Sequence, residues 1–217
     1  MKKLALLLCI TCVACELFAH DINYVLEDEK SDFVLWNFIW IGFKHILPLG
    51  VDHILFILCL FFPSQNLRSI LVQASMFTLA HSITLGLTAA GIIRPPQVLV
   101  EVVIAGSIAF LAIENIFRKN ITKTRLAAIF IFGLVHGMGF AGAMAETDIP
   151  QNALLPAIIG FNIGVEIGQL VILFLAYILL SYHFANKYWY RERIIVPGSL
   201  LVLFVSLWWV VERTFNF

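Results

Sequence analysis

Four histidines and two carboxylates stand inside stretches of this chain that are otherwise almost wholly apolar: His45, Asp52, His53, His81, His136 and Glu166. An ionisable group in the hydrocarbon of a bilayer costs at least about 2.5–3.5 kcal/mol on insertion scales, so such groups face the interior of a helix bundle and mark a pathway or a site. Neutral imidazole with carboxylate suits Zn, Ni, Co or ferrous iron, and the same residues can relay protons. Copper(I) would call for thiolates or clustered methionines, for which Met138 and Met144 make a weak case. Oxygen cages for Ca or Mg are a poor match to so much histidine.

Spacing sorts these residues into faces. Asn162, Glu166 and Gln169 fall at i, i+4 and i+7 and share one helical stripe, while Thr78, His81 and Ser82 cluster on another. His45 and Asp52 are seven apart, which on a straight helix puts them on one face but roughly 10 Å apart along it, too far to hold one ion. Pro48 between them removes an amide and kinks the helix, and the kink can turn the two halves toward each other. Broken helices at mid-membrane depth present ligands to ions in many transporters. Gly133, Gly137 and Gly139 flank His136 and let a neighbouring helix approach it. Counted from the ends of their stretches, His53, His81, His136 and Glu166 reach a similar level near the middle of the membrane.

Plainer roles stand beside these. Taken singly, His45, Ser82, Asn115 and Gln169 can serve as interhelical hydrogen-bond partners, and glycine patches as packing faces. Glu101 and Glu114, thirteen apart on one helix, point to different faces, so at least one is expected only to form a salt bridge or sit at an interface. Lys44 can snorkel to the outer surface. His20, followed by Asp21, could chelate a cation if it becomes the mature amino terminus.

The elements that carry this chemistry follow from composition. Hydrophobic residues make up 61% of the 217 and charged residues 13%, against about 45–50% and 25% in soluble domains. The expected fold is all-α, a polytopic membrane bundle with spans near 36–62, 68–90, 97–117, 126–145, 153–181 and 195–212. These are helices and not barrel strands, because the runs are too long and lipid satisfies no free backbone group. Zero net charge gives no basic surface for nucleic acid. Met1-Lys2-Lys3 and the apolar run 4–13 read as a signal peptide over residues 1–19, cleaved after Ala19; lipidation of Cys15 and an uncleaved anchor are the alternatives. Residues 20–35 would then be an exported acidic segment and 36–217 the transmembrane domain. Cys9, Cys12 and Cys15 fall in the leader, which leaves Cys59 alone and no thiolate cage. Basic residues Arg68, Arg118, Lys119, Lys123, Arg125, Lys187, Arg191 and Arg193 occupy alternate breaks and assign that side to the cytoplasm of a bacterial-type inner membrane, with the mature N-terminus exported.

The segments His45 with Gly50-Val51-Asp52-His53, Phe77-Thr78-Leu79-Ala80-His81-Ser82, Phe132-Gly133-Leu134-Val135-His136-Gly137 and Phe161-Asn162-Ile163-Gly164-Val165-Glu166, on six spans behind a signal peptide, resemble the HupE/UreJ family. The resemblance implies a secondary permease for nickel or cobalt in which His45, Asp52, His53 and His136 bind metal. With two departures the chain resembles a variant branch: six residues, not five, separate the first His from Asp-His, and a single histidine stands where the better-known pattern has His-Gly-x-x-His-Gly-x-Glu. The partners expected are the metal ion and the lipid bilayer, and oligomeric state is not legible. A divalent ion entering at 100 mV, inside negative, gains roughly 4.6 kcal/mol, and the sequence carries no phosphate-binding glycine loop for a nucleotide. The rival reading is an intramembrane zinc hydrolase acting on a lipid, with Glu166 or Glu114 as base and Ser82 beside His81. A metal-binding accessory protein is the third.

Overall fold

A chain this apolar satisfies its backbone within single segments, and the computed structural model, which describes residues 31–64, 66–118, 120–140 and 153–215, consists of helices and short connections with no strand among those residues. The helices are α1 (Ser31–Ile46), α2 (Val51–Phe61), α3 (Leu67–Ala89), α4 (Gln97–Phe117), α5 (Lys123–Gly139), α6 (Leu154–Ala176) and α7 (Val196–Phe215). A π-turn, Tyr177–Ser181, continues α6, and another, Arg191–Ile195, leads into α7. Four helices are long and apolar enough to cross a membrane, or five if α1 and α2, bent by 71° at a short break, form one span. With its 17 residues α5 is just short of that length, and the last five residues expected in its span, 141–145, lie outside the described residues. The same is true of the expected signal peptide, of His20, and of most of the acidic segment. The outer faces carry Trp36, Trp40, Leu155, Phe174, Phe204 and Trp208, all exposed, as suits contact with lipid. The molecule is a multi-pass membrane protein.

Three pairings organise the bundle, α1 with α6, α3 with α5 and α4 with α7, around the short α2, which touches α1, α3, α4 and α6. Lipid supplies no hydrophobic drive between helices, so small residues and close backbones do the packing. A Cβ on Gly42 would strike the Phe161 carbonyl oxygen, one on Gly160 the Leu35 carbonyl oxygen and one on Gly164 the Ile39 carbonyl oxygen, which seats α1 on α6. Gly133 and Gly137 meet the Phe77 and His81 carbonyl oxygens in the same way and seat α5 on α3. Thr84 Oγ1 fastens that second pair by donating to the Leu134 carbonyl at 2.6 Å.

At the end of α2, Pro63 has no amide to return to the Cys59 carbonyl. Side chains take its place: Arg125 Nη2 donates to that oxygen at 2.8 Å and Asn115 Nδ2 at 2.9 Å. Arg125 also reaches Gln73 Oε1 at 2.8 Å and Glu114 Oε2 at 2.6 Å, and is 2% exposed. The charge count assigned Arg125 to a cytoplasmic break; it instead sits inside the bundle, where a guanidinium persists only with a carboxylate and further acceptors around it. Arg191 Nη2 covers the last carbonyls of α4, those of Asn115 and Ile116, at 3.1 and 2.9 Å.

Candidate metal centre

His45 ends α1. The chain then breaks, and α2 leaves at 71° instead of continuing, so His53, which a straight helix would carry about 12 Å onward, folds back. The His45 and His53 ring centroids are 4.6 Å apart. Gly50 makes the reversal possible, since a Cβ there would strike the His45 carbonyl oxygen. From α3, His81 enters with its ring 6.4 Å from His45 and 6.1 Å from His53. One nitrogen from each of these three rings lies within 4.8 Å of the others. Gly137 lets α5 approach the backbone of His81 itself, and His136, one residue earlier, places its ring 5.1 Å from that of His53.

Phenylalanines enclose the rings. Phe161 is stacked on Phe140 at 4.3 Å and lies 5.3 Å from His45, while Phe56 and Phe77 lie 4.8 and 5.0 Å from His136. Against this apolar wall, His45 Nε2, His53 Nε2, both nitrogens of His81 and His136 Nδ1 are buried with no hydrogen-bond partner. An unmatched buried donor or acceptor costs about 1–3 kcal/mol, and native proteins hold few of them. Four adjacent rings in that condition make this the candidate metal centre.

Ser107 fixes the state of His136. Its Oγ lies 2.7 Å from the Ile104 carbonyl and 3.0 Å from His136 Nε2. With the hydroxyl proton on the carbonyl, Ser107 accepts from Nε2–H, and the lone pair of His136 is left on Nδ1. An outer partner that sets the tautomer in this way is a recurrent support of metal-binding histidines.

The other sequence candidates are placed elsewhere. Asp52 turns both carboxylate oxygens to Arg213, Oδ2 at 2.8 Å and Oδ1 at 3.0 Å, and does not join the three-ring group. Glu166 is half-buried on α6 and also stands outside that group. Its stripe-mates join α6 to α3: Asn162 Oδ1 lies 2.6 Å from Ser82 Oγ, and Gln169 Nε2 donates to Thr78 Oγ1 at 3.1 Å. Glu101 accepts from Gln97 at 3.1 Å, and Glu114 is committed to Arg125 and Arg118. The Ser107 contact, the Asp52–Arg213 pair and the phenylalanine wall were not expected from sequence. One signal was available, because Phe77 precedes His81 by one helical turn and had to share its face.

These features define a multi-pass helical membrane protein with a buried cluster of histidine donors drawn from four helices. The family model described as HupE / UreJ protein matches residues 21–213, nearly the whole chain, and the chain belongs to that family. The family is associated with nickel and cobalt transport. No curated protein and no solved structure matches the chain.

Proposed function

We propose that the protein is an inner-membrane permease that takes up a divalent transition metal, nickel or cobalt first, with His45, His53, His81 and His136 as its ligands. The observation that carries this reading is the convergence of partnerless imidazole nitrogens within an apolar enclosure. Neutral imidazole is a good donor to these metals, and a dry wall leaves a cation no competing oxygen except those the chain offers. Asp52 adjoins His53 and can supply the negative charge once its pair with Arg213 opens. Glu166, on the half-buried stripe of α6, is the second carboxylate in reserve.

Six spans, with α1 and α2 together forming the first, give this site access from both faces and export the mature N-terminus after removal of the signal peptide. The membrane potential then drives entry. Of the parts expected for a hydrolase, Ser82 is hydrogen-bonded to Asn162 and Glu114 is locked to arginine, which leaves Glu166 as its remaining base.

Proteoliposomes offered radiolabelled Ni, Co, Zn and Fe test the reading. Wild type is expected to carry at least one of them, and His81→Ala to carry none. Ser107→Ala is expected to fold normally and bind the transported metal about 10–100-fold more weakly, as loss of a ligand's outer partner does elsewhere. Wild-type flux equal to that of protein-free vesicles for all four metals would refute the permease.

A further inference from the structure

Asp52 and Arg213 come from opposite ends of the chain to form one of the three ion pairs recorded among the described residues. It is bidentate, with Nη1 at 2.8 Å from Oδ2 and Nη2 at 3.0 Å from Oδ1. The guanidinium sits in a made place: Nη1 also donates to the Glu101 carbonyl at 3.1 Å, and the Trp209 ring centroid lies 5.2 Å from its central carbon. The pair adjoins the histidine cluster through the Asp52–His53 peptide. The Asp52 and Arg213 side chains are 22% and 20% exposed, whereas His53, His81 and His136 are at most 6% exposed and His45 is partly buried. Both carboxylate oxygens beside an otherwise neutral set of donors are therefore held by a cation that belongs to the protein.

We propose that Arg213 is a tethered counter-cation, which occupies Asp52 while the histidine cluster is empty and is displaced from it by the arriving divalent ion. This rests on the permease reading and adds to it a residue that sets affinity and release. Arg213 holds both oxygens of Asp52, so a dication that takes Asp52 has to displace at least one of its hydrogen bonds, and the repulsion between the two cations favours release of the other. When the metal leaves, Arg213 returns and closes the carboxylate against recapture. Arg213 thus keeps the empty site electrically neutral and binding weak enough for turnover. Lysine would do this less well, because a point charge lacks the planar fork that engages both oxygens.

The test uses the full-length chain in detergent, with cobalt(II) as the probe, read by calorimetry and by its visible absorption. If the pair is closed about nine-tenths of the time, removing it tightens apparent affinity about tenfold. Arg213→Gln is expected to bind cobalt(II) about tenfold more tightly than wild type and to show the same absorption band at saturation, because Asp52 is in the coordination shell of both. Asp52→Asn is expected to change that band and to cancel the tightening, so that Asp52→Asn with Arg213→Gln binds like Asp52→Asn alone. Arg213→Lys is expected to fall between wild type and Arg213→Gln, and it serves where the glutamine variant does not fold. Affinity unchanged or weakened in Arg213→Gln and Arg213→Lys, or a tightening that survives Asp52→Asn, would overturn the role of Arg213 while leaving the permease standing. Wild type and both Arg213 variants binding no cobalt, nickel, zinc or iron would overturn the permease reading and this inference together.

Discussion

Arg125→Leu is expected to remove most of the folded protein, although Arg125 is far in sequence from every histidine of the cluster but His136. The substitution leaves Glu114 Oε2 and Gln73 Oε1 without their Arg125 donor inside the bundle and takes from the Cys59 carbonyl one of its two donors. Breaking a buried ion pair from one side costs about 3–5 kcal/mol, a large share of the 5–15 kcal/mol that holds a typical protein folded. Arg118, the other partner of Glu114 at 3.2 Å, is 57% exposed and is a weak substitute. Replacing both members, Arg125→Leu with Glu114→Leu, removes the stranded charge and is expected to recover part of the loss. The measurements are the yield of monodisperse protein in detergent and its unfolding midpoint. Wild-type yield and midpoint in the single variant would show that the network carries no such weight.

Gly164→Val is expected to cost both stability and metal binding. The added side chain would meet the Ile39 carbonyl oxygen, with the Phe43 amide nitrogen at 2.7 Å and the Ile39 carbonyl carbon at 2.9 Å. These are backbone atoms of α1, so no side chain can move aside, and α1 must shift off α6. Overpacking of this kind costs about 1–3 kcal/mol, and more when backbone is the obstacle. His45 lies on the same helix, two residues beyond Phe43, and is carried away from His53 and His81. Gly106→Ala is the matched control: the space around Gly106 is open, and removing a helical glycine is expected to leave stability unchanged or raise it by about 0.5–1 kcal/mol. Thermal unfolding and cobalt(II) titration on the two variants separate the outcomes. Equal binding by Gly164→Val and wild type would mean that the α1–α6 contact does not position His45.

The helices were legible because lipid leaves a chain few options and each apolar run announces its own length. The bend between His45 and the Asp52-His53 pair was legible too, from the conflict between the spacing of His45 and Asp52 on a straight helix and the presence of Pro48 between them. The small residues at 133 and 137 likewise announced a close neighbour for His136, though not that α3 would be that neighbour. What the residue types could not convey was pairing. Asp52 reads as a free carboxylate until Arg213, 161 positions away, is seen to hold it. Arg125 reads as a loop cation because a charge count has no means of noticing that Pro63 leaves the Cys59 carbonyl empty. Glu114 reads as a candidate ligand for the same reason, since sequence lists carboxylates without their counter-charges. Ser107 has no distinguishing pattern, and its use depends on which turn of α4 faces His136.

The unmatched ring nitrogens bear on how the fold breathes. A cation that engages them stabilises the folded chain by an amount that grows with its concentration relative to its dissociation constant, as any ligand bound only by the native state does. Without cargo, the region around His45, His53, His81 and His136 is the part of the interior with the least to lose by loosening. Amide hydrogen exchange should therefore be fastest, within the buried part of the bundle, at the start of α2 and the facing turn of α3, and should slow there first as metal is added. On the permease reading, local weakness around the four histidines is the same property by which the fold opens to receive an ion.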